Sequence, residues 1–364
     1  MSLRIAKPRR RQISQKLIAS QAGVSQSTVS LVLAGRSVSS DSTRRRVLEA
    51  AQRLRYRPNL LVHAMQTGKT RMIGVMAPPF DFYWSEILYG IHDALVAADH
   101  VPITLWAWHQ GPGPRDRTQP GGHVREQIHR LIDRRVDGVI LWPPFATLYQ
   151  DHIHEFSSRD LPVVTIDHEL PAAFGADFVG SDEAMGGRLV ASHLYHQGHR
   201  RIGHLAGPAI ATWAVARRRA FEEALREFDD ARCVTIEAPP GETTFGGDPA
   251  RRLLSLPDRP TAIYAASDLY AKEVYRAAGE LGLRVPQDVS VVGFSDDDFA
   301  AEMEPPLTTV RQPAYEIGRK AAELVLGRSA QRRKAVQMRL GVELIARAST
   351  AAPADVSSSR GVVT

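Results

Sequence analysis

Residues 14–33 read SQKLIASQAGVSQSTVSLVL. Ser14 is a favoured N-cap, and Leu17, Ile18 and Ala22, with Ala19 between them, follow at the spacing of one buried helical face. Gly23 is a natural helix terminator. Ser25 opens a second helical stretch that places Val29, Val32 and Leu33 on one face. Two short helices joined by the Gly-containing turn Ala22-Gly23-Val24 make a helix-turn-helix. The second helix leaves Gln26, Ser27, Ser30 and Leu31 outward near its N-terminus, and short side chains there suit a major groove.

Working outward, a third helix is expected from an N-cap at Ser40 or Asp41, running through Thr43, Val47, Ala50, Ala51 and Leu54. Arg44, Arg45 and Arg46 fall in its first turns, where the helix dipole alone prefers acids. Phosphate contact and a solvated charge run are both open readings of these arginines. The charge of the chain is uneven in the same sense. Residues 1–71 carry fifteen Lys and Arg against Asp41 and Glu49, an excess of +13; the rest of the chain is at −7, giving +6 overall. A basic segment on a mildly acidic body fits a nucleic-acid-binding head, with a solvated basic tail or a membrane-surface patch as the bland readings.

With these residues placed, AGVSQSTVSLVLAG (22–35) and TRRRVLEAAQRLRYRPN (43–59) resemble the head of the lactose-repressor (LacI/GalR) family of bacterial transcription regulators. The resemblance implies that Gln26, Ser27 and Leu31 read bases. It implies that Ser14, Ser25, Thr28, Ser30, Arg44 and Asn59 hold the DNA backbone. Leu31 departs from the Arg common at that place, and an apolar side chain there would contact a thymine methyl. Pro58 disfavours helix at Arg57, and Asn59 can cap a new short helix from Leu60 to Gln66 that ends at Gly68. In the family this is a hinge helix, and Met65 matches the apolar wedge that enters the minor groove. His63 replaces a common Arg there.

From Met72 onward, short apolar runs alternate with helical stretches, as at Met72–Met76, Val139–Leu141, Val163–Ile166, Ile202–Leu205 and Ala262–Ala265. That is a βαβ series, hence parallel sheets with helices on both faces, and it is too long for one sheet. Two lobes with a ligand cleft at the strand carboxyl ends are expected. RVDGVILWPP, LPVVTIDHE, HQGHRRIGHLAGP, LRVPQDVSVVGFSDDD and PPLTTVRQP resemble the signatures of a type I periplasmic-binding-protein body. The fold expected is therefore an all-α helix-turn-helix head and hinge helix joined to an α/β two-lobed body. The boundaries expected are 1–58 for the head, 59–71 for hinge and linker, 72–350 for the effector-binding and dimerisation domain, and 351–364 for a disordered tail. By analogy the N-lobe is 72–167 plus 311–332, and the C-lobe 168–310 plus 333–350.

Candidate effector-binding residues follow the strand ends. The aromatic loop from Pro78 to Trp84 supplies Asp81, Phe82 and Trp84, and flat rings there suit a sugar face or a nucleobase. His168 follows the fourth strand. Arg217 matches the family's ligand-clamping Arg, and its fork suits vicinal hydroxyls or a carboxylate. Asp268 matches an aspartate that accepts hydroxyls. Asp296 stands next to Ser295, which occupies the place of the usual ligand aspartate.

No catalytic residue, cofactor or metal is expected. His193, His196 and His199 do not share one helical face, and His152-Ile153-His154-Glu155 is not the H-E-x-x-H zinc spacing. Nucleotide-cradling glycine motifs and a G-x-S-x-G elbow are absent. Cys233 stands alone, which excludes an internal disulfide and fits a cytoplasmic location. No apolar run approaches the ~20 residues of a membrane span. The reading is a homodimeric repressor of a pseudo-palindromic double-stranded DNA operator, controlled by a small molecule, expected to be a carbohydrate. A purine or an acidic metabolite stays open as effector, and a solute-binding module or an enzyme on the same body is the rival class.

Overall fold

The structure is a computed structural model that describes residues 14–33, 40–56, 64, 67–78, 82–107, 120–143, 149–238, 247–327 and 334–354. The chain divides into two compact units, Met1–Thr70 and Arg71–Thr364.

In the first unit, α1 (Gln15–Ala22), α2 (Gln26–Leu33) and α3 (Asp41–Arg53) enclose a small core. Ile18, Val29 and Val47 meet at its centre, with Ala19, Ala22, Val32, Ala50 and Ala51 around them. Gly23 ends α1 in the left-handed region at φ 64°, its N–H donating to the Ala19 carbonyl. The Ser25 hydroxyl accepts the Thr28 N–H at 3.1 Å and so caps α2. Ser40 caps α3 in the same way, accepting from Thr43 N–H at 3.3 Å. Two expectations change. Leu17 is exposed rather than buried, because Ile18 and Ala22 already align at i and i+4, and Leu17 lies about 100° round the helix from Ile18. Ser14 occupies the N-cap position of α1, but its side chain makes no capping bond. Beyond α3, Gly68 takes φ 71° and its N–H donates to the Ala64 carbonyl at 2.8 Å, which closes a helical turn there. Asn59, His63 and Met65 lie outside the described residues.

The second unit opens with β1 (Met72–Ala77), α4 (Phe82–Ala97), β2 (Val101–Trp106), α5 (Pro120–Asp133), β3 (Gly138–Leu141), α6 (Gln150–Ser158), β4 (Val163–Ile166) and β5 (Asp177–Ser181). It continues with α7 (Glu183–His196), β6 (Arg201–Ala206), α8 (Thr212–Arg226), β7 (Arg232–Glu237), α9 (Gly247–Leu254), β8 (Ala262–Ala265), α10 (Asp268–Glu280) and β9 (Ser290–Val292). It ends with β10 (Thr309–Arg311), α11 (Ala314–Gly327), β11 (Gln337–Leu340) and β12 (Glu343–Ile345). One sheet runs β11-β5-β4-β3-β1-β2 and a second β7-β6-β8-β9, with every pairing parallel. β10 and β12 form an antiparallel pair, and single bridges from Val292 to Thr308 and from Ser295 to Arg311 attach it beside β9.

Each sheet buries both faces, as parallel sheets must. Ile73, Val75 and Ala77 of β1 face α4 and α11, whereas Met76 faces the α5 and α6 side. The second sheet packs α9 and α10 on one face and α7 and α8 on the other. The α4–α11 crossing is backbone-close. A Cβ on Gly90 would overlap the Tyr315 carbonyl, and one on Gly318 would overlap the Ile87 carbonyl. The lobe boundaries differ from those expected. β5 and β11 pair with each other in the first sheet, so the chain leaves that lobe at Asp182 rather than near Asp167, and returns for the last time at Gly341–Val342 rather than at 330–336. β5 is short and half polar, and only its register beside β4 marks it as a strand. At the chain end, Ser290 donates to the Ala351 carbonyl and accepts its N–H, both at 3.1 Å, so the expected disordered tail begins tied to the lobe. Residues 355–364 of that tail lie outside the described residues. Among the described residues no helix is long and apolar enough to cross a membrane.

Candidate DNA-reading face and ligand cleft

On α2, Val29 and Val32 are buried while Gln26, Ser27 and Leu31 are exposed, Leu31 by 40%. At about 100° per residue these three fall within an arc of roughly 140° on the side away from the core. Thr28 and Ser30 are half-buried at its margin. The Ser25 hydroxyl organises the first turn, lying 2.7 Å from the Ser27 hydroxyl and 2.9 Å from that of Thr28. Arg44, Arg45 and Arg46 are exposed on the first turns of α3. Among the described residues no acidic side chain pairs with any of the three. Arg46 reaches the Thr43 hydroxyl at 3.5 Å.

In the second unit, an aromatic cluster follows the strand ends of the first lobe, and Thr212 of the second lobe reaches the loop beside it. On the first-lobe side, Trp84 is buried at the start of α4 and meets Trp142, which follows β3, edge-on at 6.3 Å. Trp142 in turn meets His168, which follows β4, edge-on at 5.6 Å. Burial pulls the His168 imidazole down to about 4, so it is neutral at pH 7, and its buried Nε2 has no hydrogen-bond partner among the described residues. Beside it the Tyr83 hydroxyl donates to Asp167 Oδ1 at 2.7 Å. Burial, then the Asp167 and Glu183 charges, hold that phenol well above its usual range.

From the second lobe, Thr212 donates to the Asp167 carbonyl at 3.4 Å and joins the two sides. Arg217 is buried behind it. Its Nε and Nη2 donate to the Glu183 carboxylate, and its Nη1 donates to the Ala266 carbonyl at 2.6 Å. The guanidinium lies 3.5 Å from the Phe294 ring centroid and 4.6 Å from that of Trp213. Burial raises the Glu183 carboxyl against the pull of Arg217.

The geometry revises several expected roles. Arg217 does not present an open fork; three of its nitrogens are committed within the protein, and both ring faces cover it. Asp268 is 0% exposed, and its two oxygens accept the Thr309 hydroxyl at 2.6 Å and the Asp297 N–H at 2.9 Å. It pins the 293–298 loop. Asp296 is bridged by Arg311 at 2.7 Å and Arg347 at 2.6 Å. That fixes β10 and the chain end together. Trp84 and His168 are each 3% exposed, whereas Phe82 is 51% exposed. Asp81 lies outside the described residues. Glu183, Trp142, Tyr83 and Trp213 were not singled out from the sequence. Trp142, directly after an apolar strand run, was the one carrying a positional signal.

The matches to known proteins agree with this architecture. The model of bacterial regulatory proteins of the lacI family matches residues 16–59, and that of the periplasmic binding protein-like domain matches residues 191–350. The HTH-type transcriptional repressor CytR of Escherichia coli (strain K12) is 32% identical over 358 residues, which are 95% of this chain and 99% of that protein. The chain belongs to the lacI family. Within it, the ribose operon repressor of Escherichia coli (strain K12) is 30% identical over 87% of this chain and 93% of that protein. Among solved structures, the lac repressor dimer bound to operator and the anti-inducer ONPF superposes with a TM-score of 0.77 at 25% identity, covering 94% of this chain and all of that one. A complex of the transcriptional regulator CelR with cellobiose gives 0.64 at 28% identity, covering 93% and 99%. Helix-turn-helix head and two-lobed parallel α/β body are thus the family's arrangement.

Proposed function

We propose that this lacI-family protein is a transcriptional repressor whose operator affinity is set by an uncharged small molecule held between the lobes. The observation that carries it is the exposed Gln26–Ser27–Leu31 face of α2, in a chain alike over nearly its whole length to named repressors. Two heads of a homodimer place α2 in successive major grooves of a pseudo-palindrome, where protein symmetry sets half-site symmetry. Gln26, Ser27 and Leu31 read bases. Ser14, Ser25, Thr28, Ser30, Arg44 and Asn59 hold phosphates, and Met65 wedges the minor groove. The Ser14 hydroxyl, which makes no capping bond in α1, suits a phosphate at that helix N-terminus. The protein works in the cytoplasm and performs no catalysis.

The cleft favours a carbohydrate or a nucleoside over an acidic metabolite. Trp84, Trp142 and a neutral His168 make an edge-to-face aromatic cluster with an imidazole nitrogen left for a hydroxyl or amide. Glu183 neutralises Arg217, so the buried cation that an acid would seek is already matched. Coupling between cleft and operator is reciprocal, and operator weakens the inducing ligand by the factor that the ligand weakens operator.

Selection of duplexes from a random DNA pool at stated near-physiological salt tests this reading. An enriched pseudo-palindrome, released or tightened by one member of a sugar and nucleoside panel, is the expected result. Salt-sensitive binding without an enriched site, with every ligand, overturns it.

A further inference from the structure

We propose that His129, His152 and Glu155 form a binding site for a divalent transition metal of the Zn2+ type on the outer helices of the first lobe. His129 lies on α5, and His152 and Glu155 lie three residues apart on α6, a spacing that shares one helical face. One ligand atom from each lies within 4.8 Å of the other two. The two imidazoles meet edge-on at 5.6 Å and 82°. The helices are fixed by a shared apolar cluster in which Ile128 and Leu131 join Tyr149 and Phe156. The ligands therefore stand on a packed scaffold rather than on loops.

The donor set selects the ion. Two imidazole nitrogens and one carboxylate oxygen suit Zn2+ and its neighbours rather than Mg2+ or Ca2+. A tetrahedral shell with bonds of about 2.1 Å sets ligand atoms about 3.4 Å apart, so side-chain rotation closes the trio without moving either helix. His152 is 4% exposed, while His129 is exposed and Glu155 half-buried. An ion is thus anchored from within and keeps an outer position for water. Two cations stand nearby, and both have acidic partners. Arg159 reaches Glu155 at 3.0 Å, and Arg130 pairs with Glu126. A carboxylate has lone pairs for an arginine and an ion together. Reading H-E-x-x-H along one helix misses this site, because its third ligand comes from another helix. The histidines near residue 199 behave differently. His199 is held between the Thr261 and Ser290 hydroxyls at 2.9 and 3.1 Å, and His193 by Thr350 at 3.0 Å. The bound ion ties α5 to α6, which flank the stretch carrying β3 and the cleft residue Trp142.

Chelator-stripped full-length protein is titrated with Zn2+ by calorimetry, with Co2+ absorption reporting coordination geometry. The expected result is one saturable Zn2+ per chain that raises the melting temperature of the body. His129→Gln, a surface change that spares folding, weakens binding by at least about tenfold. Glu155→Gln weakens it comparably, and His154→Gln leaves it unchanged. Absence of saturable binding, or affinity in His129→Gln and Glu155→Gln equal to that of the parent, overturns the assignment.

Discussion

Replacing Glu183 by Gln tests the buried pair that sets the character of the cleft. Glu183 and Arg217 side chains are 11% and 6% exposed, and the guanidinium has no other anionic partner among the described residues near it. Removing one member of a buried pair leaves an uncompensated charge and costs about 3–5 kcal/mol. Gln keeps the volume and one acceptor, and Arg217 keeps the Ala266 carbonyl and the Phe294 face. The low end, about 3 kcal/mol, is therefore expected. At about 2–4 °C per kcal/mol for a lobe-sized unit, the body transition falls by roughly 6–12 °C. The control is Glu223→Gln, which breaks the exposed Arg219 pair; a surface pair contributes about 0–1 kcal/mol. Calorimetric melting of both variants beside the parent measures the difference. A ligand screen should also show Glu183→Gln gaining affinity for carboxylate-bearing compounds, since its Arg217 is left in need of an anion. Melting curves of the two variants that coincide, together with unchanged anion affinity, would refute the reasoning.

Other outcomes follow from the same structure. His168 and His204 are buried with their pKa values lowered to about 4 by desolvation. The unfolded chain takes up their protons near pH 6.5 and the folded chain only near 4, so stability falls as pH drops through that window. Each contributes up to about 1.4 kcal/mol per pH unit; a flat urea midpoint from pH 7 to 5 contradicts this. Arg44→Ala should weaken operator binding almost equally for all sequences and reduce the salt slope by about 1, whereas Leu31→Ala should relax one base position at about 1–3 kcal/mol. Titrations of both variants at three salt concentrations separate the two roles, and a sequence-specific effect of Arg44→Ala counts against a phosphate contact. Met65→Gly should lower operator affinity and leave ligand affinity intact; unchanged operator binding removes Met65 as the wedge.

The helix-turn-helix was legible because its signals are local. Gly23, Ser25 and Ser40 act within a few residues of themselves, and the sequence places them where the structure uses them. The parallel strands were legible wherever both faces are buried, since a run such as Gly138–Leu141 then reads as continuously apolar. β5 and β11 were not, because their pairing joins residues far apart in the chain and QMRL carries no apolar run. The roles of residues at the strand ends were harder to read. Asp268 follows a strand end as a ligand residue should, yet the Asp297 amide and the Thr309 hydroxyl close over it, and no neighbour in sequence announces that. Glu183 follows Asp182 at a helix start, where an acid needs no explanation beyond the dipole. Only the arrival of α8 against α7 turns it into the counter-ion of Arg217. That approach depends on Gly187, where a Cβ would overlap the Arg217 carbonyl.

Charge in the two units answers two separate needs. The head carries exposed arginines, without an acidic partner among the described residues, on a helix end where screening by salt makes each contact weak and adjustable. The cleft carries its arginine buried and matched, where a net charge would be costly and slow to exchange. A ligand that enters such a cleft gains little from charge and much from apolar faces and hydroxyl geometry. Neutral metabolites that differ by one hydroxyl are then separated by whether His168 Nε2 finds its partner, because an unmet buried acceptor or donor costs about 1–3 kcal/mol. Discrimination of that size corresponds to roughly 5- to 150-fold in an equilibrium constant, the scale of coupling that a ligand-controlled repressor requires.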